Sequence, residues 1–592
     1  MTLGLSRRLG RTLLSHIGET VIEQLVFTTT KTGNSSDSTV WDQGKVPDYG
    51  DTIIVATGHT LTIDQDLTIG YDPDPVADVI TCQGTGALTI GEGVTLTVTG
   101  NITMASGAFT MAAGSSLVGD IATGLVAGVH SNVYGAEGAI LDINGTSGSR
   151  SSVSSIGAGT FYLDWYQSGA NSADVANLSS EYCDFEDLGD AATRAIYWRR
   201  QGISFAHCTF DGCAYVGTPG YHYADLNIIV SDCNFINGID TYDLQLSNNS
   251  ATAITGTRTI SGCAFNNGLN LAYNHSTTSI SDCYVNNLST SALVAEYPTD
   301  ITRCFIDKNS DFVVYVNEIT DCFRYVPSTD NAHLFLLNDN ESGWTFNGVL
   351  FEHGDDWTTD ECDGILNNAN MAASRNVVVQ NCIVLPNNAG RASCTIATDN
   401  CAYSNVIWTL NKNTYFSDNK GFFLVAAHGT GSAGRIASCQ SNLAYCEDAT
   451  PTEAHIMQEV GDYTPADDYC TVADYNGYDY VNAPAYDVTA DGFASTPGTH
   501  DLNEGANLVA SGRDLASWAA YALGATGTDA QKRTAAVNAF KAMNDPASPY
   551  YDADATVSNL VTWIKAGFAP QNANYADSGH DAGRIGAVDV AA

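Results

Sequence analysis

The densest group of ionisable side chains is FEHGDDWTTDECDG (351–364), with Glu352, His353, Asp355, Asp356, Asp360, Glu361 and Asp363 around Trp357. Clustered carboxylates do general acid–base work on glycosidic bonds or ligate a hard divalent cation, and an indole face stacks on a sugar ring. Glu352, Asp355, Asp356 and Trp357 are therefore candidate carbohydrate-binding residues; the alternative is a solvated loop between two coils. A second candidate is YWRR (197–200), where Trp198 and Arg199 could grip an acidic sugar or carboxylate. The alternative is that Arg199 and Arg200 neutralise Asp184, Glu186, Asp187 and Asp190, or pack on a neighbouring subunit. DPDP (72–75) and DYTPADD (462–468) offer oxygen ligands for a structural Ca²⁺, although neither follows the twelve-residue EF-hand loop. No Walker loop, GxSxG, HExxH, CxxC or Gly-rich dinucleotide fingerprint occurs, so the sequence assigns no catalytic residue, and no cofactor beyond that structural Ca²⁺ is expected.

Such groups need a scaffold, and the scaffold is written as a repeat. One phrase recurs: ISFAHCTF (203–210), IIVSDCNF (228–235), TISGCAF (259–265), SISDCYV (279–285), ITRCFI (301–306), ITDCF (319–323) and VVQNCIV (378–384). In each, an apolar residue stands three before a Cys, as in Phe205/Cys208 and Ile260/Cys263. Successive cysteines from Cys183 to Cys322 lie 25, 25, 30, 20, 21 and 18 residues apart. A unit this short cannot bury its own apolar face, whereas stacked coils can. The odd interval would send the two residues to opposite faces of a flat strand, so a bend between them must turn both inward. The spacing predicts a right-handed parallel β-helix with an inward ladder of free thiols: Cys183, Cys208, Cys233, Cys263, Cys283, Cys304, Cys322 and Cys382. Parallel stacking suits disulfide geometry poorly. A bridge stays open for Cys208/Cys213, Cys394/Cys401 and Cys439/Cys446.

Four segments follow. In 1–30, Leu5, Leu9, Leu13, Leu14, Ile17, Val21 and Leu25 trace one face of an amphipathic helix, expected to cap the fold or dock on a partner assembly. Arg7, Arg8 and Arg11 interrupt any secretion-signal core. Residues 31–150 alternate apolar residues with Thr, as in Thr95-Leu96-Thr97-Val98-Thr99, and form an N-terminal β-helical domain. Residues 151–510 are the main β-helix. In 511–592, helices are expected after Asp514, over 528–543 and over 556–566, the last with Asp554 as N-cap and Gly567 as stop. They are expected to cover the open end of the solenoid, because bare strand edges recruit other chains. The fold class is all-β: a parallel β-helix solenoid with an N-terminal amphipathic helix and a small helical C-terminal cap.

Lys and Arg total 24 against 66 Asp and Glu, a net charge of −42, which excludes nucleic acid as a partner. No apolar run reaches the roughly 18 residues a membrane helix needs.

Two stretches carry family resemblances. WDQGKVPDYGDTIIVATGHTLTID (41–64) resembles the opening of extracellular β-helical domains named for their eight glycines. WIKAGFAPQNANYADSGHDAGRIGAVDV (563–590) resembles the closing segment of right-handed β-helix proteins of tailed bacteriophages and of some secreted polysaccharide-active bacterial proteins, in which an Ile-Gly-Ala strand, here Ile585-Gly586-Ala587, ends the solenoid. RDLASW (513–518) and the helices after it are closer to the phage versions. The resemblance implies a virion structural protein — a tailspike, side fibre or capsid decoration — that attaches to host-surface glycans. It also implies contacts to other virion proteins through the N-terminal segment and, as in many tailspikes, a homotrimer. The alternatives are a polysaccharide lyase or glycoside hydrolase on the same scaffold, and a bacterial surface adhesin.

Overall fold

The computed structural model of the chain describes residues 24–190 apart from 71–76, 122–129, 137, 158 and 166–177. Between 194 and 479 it describes the sheet strands and many of the corners joining them, and it describes most of 502–589. The chain divides into two compact units, Met1–Gly189 and Asp190–Ala592.

In the first unit the apolar/Thr alternation becomes three parallel sheets, with one strand of each per coil. Like residues stack on like along the inside. One column runs Phe27, Ile53, Ile80, Ile102, Val133 and Leu163. A second runs Leu61, Leu88, Phe109, Leu141 and Leu178, and a third Leu67, Leu96, Leu117, Val153 and Phe185. All of these are buried, while Thr60, Thr62, Thr95 and Thr97 between them are partly exposed. Each rung of about 4.8 Å thus extends one continuous core that no single coil could close. Val26–Thr28, within the stretch read as helical, is a strand paired with Thr52–Ile54. An edge of unpaired backbone groups lay open to it there, and pairing outweighs helix propensity. Residues 1–23 lie outside the described residues.

The second unit repeats the plan. Strands Ile203–Ala206, Ile228–Ser231, Arg258–Ser261, Thr278–Ser281 and Thr299–Thr302 pair in parallel, and further rungs continue to Ala473–Asp474. A second sheet runs beside them from Thr209–Asp211 to Gly477–Asp479. The corner between these two sheets explains the odd Cys interval. The residue before each ladder position has a left-handed backbone: His207 (54°), Asp232 (51°), Asp282 (54°), Arg303 (51°), Asp321 (49°) and Asn381 (57°), with glycine at Gly262 (62°) and Gly348 (71°). One left-handed residue reverses the facing of the chain, so the apolar residue two before it and the residue after it, as in Val230 and Cys233, both point inward. Tyr182 (48°) does the same before Cys183 in the first unit.

The turn also accounts for the residue type. The thiols of Cys208, Cys233, Cys263, Cys283, Cys304, Cys322 and Cys382 each donate to the carbonyl two residues back, at 3.1–3.4 Å. The position favours a small side chain that can donate a hydrogen bond inside an apolar core. Where Cys gives out, Asn continues the column. Asn413 and Asn442 follow left-handed Lys412 (57°) and Ser441 (60°), and their amides donate to Val379 O and Leu410 O, both at 2.9 Å. Cys208, Cys213 and Cys439, left open for pairing, form no disulfide and are buried, and the same holds for all eight ladder cysteines. Cys401 lies outside the described residues.

The C-terminal helices α1 (Leu515–Ala522), α2 (Asp529–Lys541) and α3 (Val557–Gly567) do not sit over an open end. They lie along the outer face of the second sheet, against Ala264, Tyr284, Phe305, Phe323, Tyr325, Leu350, Ile383 and Leu385. The cause is a change in the residue after the Cys. It is Thr209 and Asn234 in earlier rungs, then Ala264, Tyr284, Phe305, Phe323 and Ile383. Those side chains face outward, so this stretch of sheet is apolar on both faces and demands a cover. Phe540 of α2 supplies it by stacking on Phe305 at 4.5 Å and on Trp518 of α1 at 5.3 Å. Thr556, not Asp554, caps α3, its hydroxyl accepting from the Asn559 N–H at 3.2 Å. Ile585–Ala587 does not form a rung: Gly586 N–H donates to Ser441 O and Ala587 N–H to the Thr414 hydroxyl.

Candidate functional site

The helical layer is held by a buried ionic latch. Glu352 leaves the second sheet on its outer face, wholly buried, and its two carboxylate oxygens accept from different elements. Arg533 Nε of α2 donates to one at 3.0 Å, and the Leu515 N–H at the start of α1 to the other at 2.7 Å. Arg533 Nη2 also donates to Asp514 at 2.9 Å, and Asp514 caps α1 by accepting from the Ser517 N–H at 2.7 Å. Burial pushes the Glu352 carboxyl up to about 8, the Asp514 charge adds to this, and Arg533 opposes it. A peripheral pair, Lys565 Nζ to Asp321 at 3.2 Å, ties α3 to a corner of the solenoid.

This latch leaves an aromatic face turned to solvent. Tyr521 of α1 stacks on Trp563 of α3, with ring centroids 5.3 Å apart and planes 23° apart, and Tyr521 is 72% exposed. Arg513 lies over the Trp563 ring at 4.7 Å, and its Nη1 donates to the Trp563 carbonyl at 2.9 Å. The indole is thereby fixed in orientation by a cation and a second ring. Tyr550 (56%) and Tyr551 (37%) are further exposed rings on the α2–α3 connection. A rigid, partly hydrated aromatic surface of this sort takes the apolar face of a sugar ring or an aliphatic edge.

The residues singled out from sequence are placed otherwise. Glu352 has no exposed surface and is committed to Arg533 and Leu515. It therefore anchors the helices and does not reach solvent. Trp198 is also wholly buried, edge-on to Phe205 at 6.1 Å, and offers no face to a ligand. Asp184, a partner suggested for Arg199 and Arg200, is bound by Arg150 at 2.6 Å. Asp355, Asp356, Trp357 and Arg199 lie outside the described residues, as do both Ca²⁺ candidates, 72–75 and 462–468. Among the described residues no group of three His, Cys, Asp or Glu side chains is placed to hold a metal ion, and no helix is long and apolar enough to cross a membrane.

One carboxylate pair is brought together on the outer face of the first of the two long sheets. Asp300 and Glu318 are register neighbours on adjacent rungs. Burial and the Glu318 charge both raise the Asp300 carboxyl above its ordinary value, and the Thr320 hydroxyl donates to Glu318 at 2.9 Å. Neither the Tyr521–Trp563 stack nor this pair was singled out from sequence. Tyr521 and Trp563 sit on separate helices, and nothing in the spacing ties them. The Asp300/Glu318 pairing could have been found by aligning ITRC with ITDC, which sets the residue before each Ile on the same face. Comparison with family models, with curated proteins and with solved structures finds no match to this chain.

Proposed function

We propose that the protein is a glycan-attachment component of a tailed-bacteriophage particle, with the solenoid as scaffold and the helical layer as contact surface. The observation that carries this reading is the Tyr521–Trp563 stack, an aromatic pair fixed by Arg513, in which Trp563 is partly buried and Tyr521 is largely open to solvent. Burying that face would release water from apolar surface, and a saccharide ring is the ligand that matches both its flatness and its hydrated rim. The phage setting rests on the resemblance of 513–518 and 563–590. In that setting the partners are other virion proteins, through the N-terminal segment, and a host-surface polysaccharide. The test is binding of the purified protein to host polysaccharide before and after Tyr521→Ala. A stacked aromatic contact worth about 0.5–1.5 kcal/mol predicts about 2- to 10-fold weaker binding with unchanged thermal stability. Equal affinity in the two proteins would remove the helical face from the account.

A second reading has its own observation. The Asp300/Glu318 pair, in which burial and the neighbouring carboxylate raise Asp300 while Glu318 accepts from the Thr320 hydroxyl, supports a glycoside hydrolase, because two facing carboxyls on one sheet surface are what acid-assisted glycosidic cleavage uses. New reducing ends released from host polysaccharide, and lost in Asp300→Asn, would move the protein to that class.

A further inference from the structure

Arg258 opens the strand Arg258–Ser261 on its inward face, alternating with exposed Thr259, and is 1% exposed. Its register neighbours are Ile228 on the preceding rung and Thr278 on the next, both buried, and Thr299 follows one rung further. The column Ile203, Ile228 therefore changes at Arg258 into a cation followed by two hydroxyl residues. Nε, Nη1 and Nη2 of Arg258 meet no hydrogen-bond partner among the described residues. The other buried guanidiniums among the described residues are matched: Arg324 donates to Tyr325 O at 2.7 Å, and Arg533 pairs with Glu352 and Asp514. Burial lowers the pKa of Arg258 to about 10, so it is charged at neutral pH, and desolvation is the sole cause of the shift. A buried charge with neither counter-ion nor hydrogen bonds is the costliest group a core can hold.

We propose that Arg258 binds a small monovalent inorganic anion of the halide class inside the solenoid, beside the Thr278 rung. One positive charge calls for one negative charge. Ile228 and Ile260 on its flanks offer no donors to the several oxygens of a phosphate or sulfate. The chain carries a net charge of −42, which repels anions from its surface. Binding therefore depends on the enclosed guanidinium, and the ion is taken up with folding, so it stabilises the native state by mass action.

The test uses the full chain at fixed ionic strength, with chloride replacing gluconate. Raising chloride from about 1 mM to about 100 mM is expected to raise the unfolding midpoint by about 2–4 °C. Arg258→Met is expected to fold and to lose that dependence. A flat response in the parent, or the same response in Arg258→Met, overturns the proposal. If the variant does not fold, crystals of the parent grown in bromide decide. An anomalous peak beside the Arg258 guanidinium supports the site, and no peak there overturns it.

Discussion

Arg533→Ala should loosen the helical layer, and by an amount that depends on pH in a defined direction. In the parent, Arg533 is 3% exposed in its side chain and satisfies both Glu352 and Asp514. Removing it leaves Glu352 buried with the Leu515 N–H as its remaining described donor, and breaking a buried pair from one side costs about 3–5 kcal/mol. That cost requires Glu352 to be ionised in the parent. Its folded pKa, about 8, lies above the ordinary 4.5. The stability its carboxyl contributes is thus fully present below about pH 4.5 and is lost as pH rises through about 8. At about pH 5 Glu352 is already neutral, and the substitution should cost about 1–3 kcal/mol, for the hydrogen bond to Glu352 and the charge-assisted one to Asp514. At about pH 9 it should approach the full figure. Urea unfolding followed through the fluorescence of Trp518 and Trp563 at the two pH values measures the difference. The double variant Glu352→Gln/Arg533→Met should be more stable at pH 9 than the sum of its single changes, by about 2 kcal/mol. A cost below about 1 kcal/mol at both pH values, or strict additivity, would refute the latch.

Two further outcomes follow from the corner. Cys233→Asp places a carboxylate where a thiol donates to Ser231 O in a fully buried column, and it should cost several kcal/mol of stability, read as a lowered unfolding midpoint; an unchanged midpoint would contradict the inward ladder. Lys412→Val should cost about 1–3 kcal/mol because a β-branched residue resists its left-handed backbone, while Lys412→Gly should be near neutral in the same melt; equal effects would mean the turn is not what constrains the position.

The inside of the solenoid was legible and the outside was not. Seven phrases with an apolar residue three before a Cys demanded a coil with a corner, and His207, Asp232 and Asp282 supply that corner. The helical layer has a signal of its own, outside the helices. The residue after the Cys turns from Thr209 and Asn234 to Tyr284, Phe305 and Phe323, an outward apolar stripe that has to be covered. Read alone, the helices suggested an end cap, since nothing in their own sequence states which surface they cover. Glu352 shows the same limit in a single residue. An acidic loop next to a Trp suggested sugar chemistry, yet Glu352 belongs to the strand Leu350–His353 before that loop, and its partner is 181 positions away. Charge density in sequence marks where carboxylates are. It does not mark which of them a distant arginine has claimed.

The most direct measurement is hydrogen exchange of the full chain with and without host polysaccharide. The account predicts slowed exchange in Leu515–Ala522 and Val557–Gly567, the two helices that carry Tyr521 and Trp563. Protection confined to Thr299–Thr302 and Glu318–Thr320, around the carboxylate pair, would contradict it, and so would no protection at all.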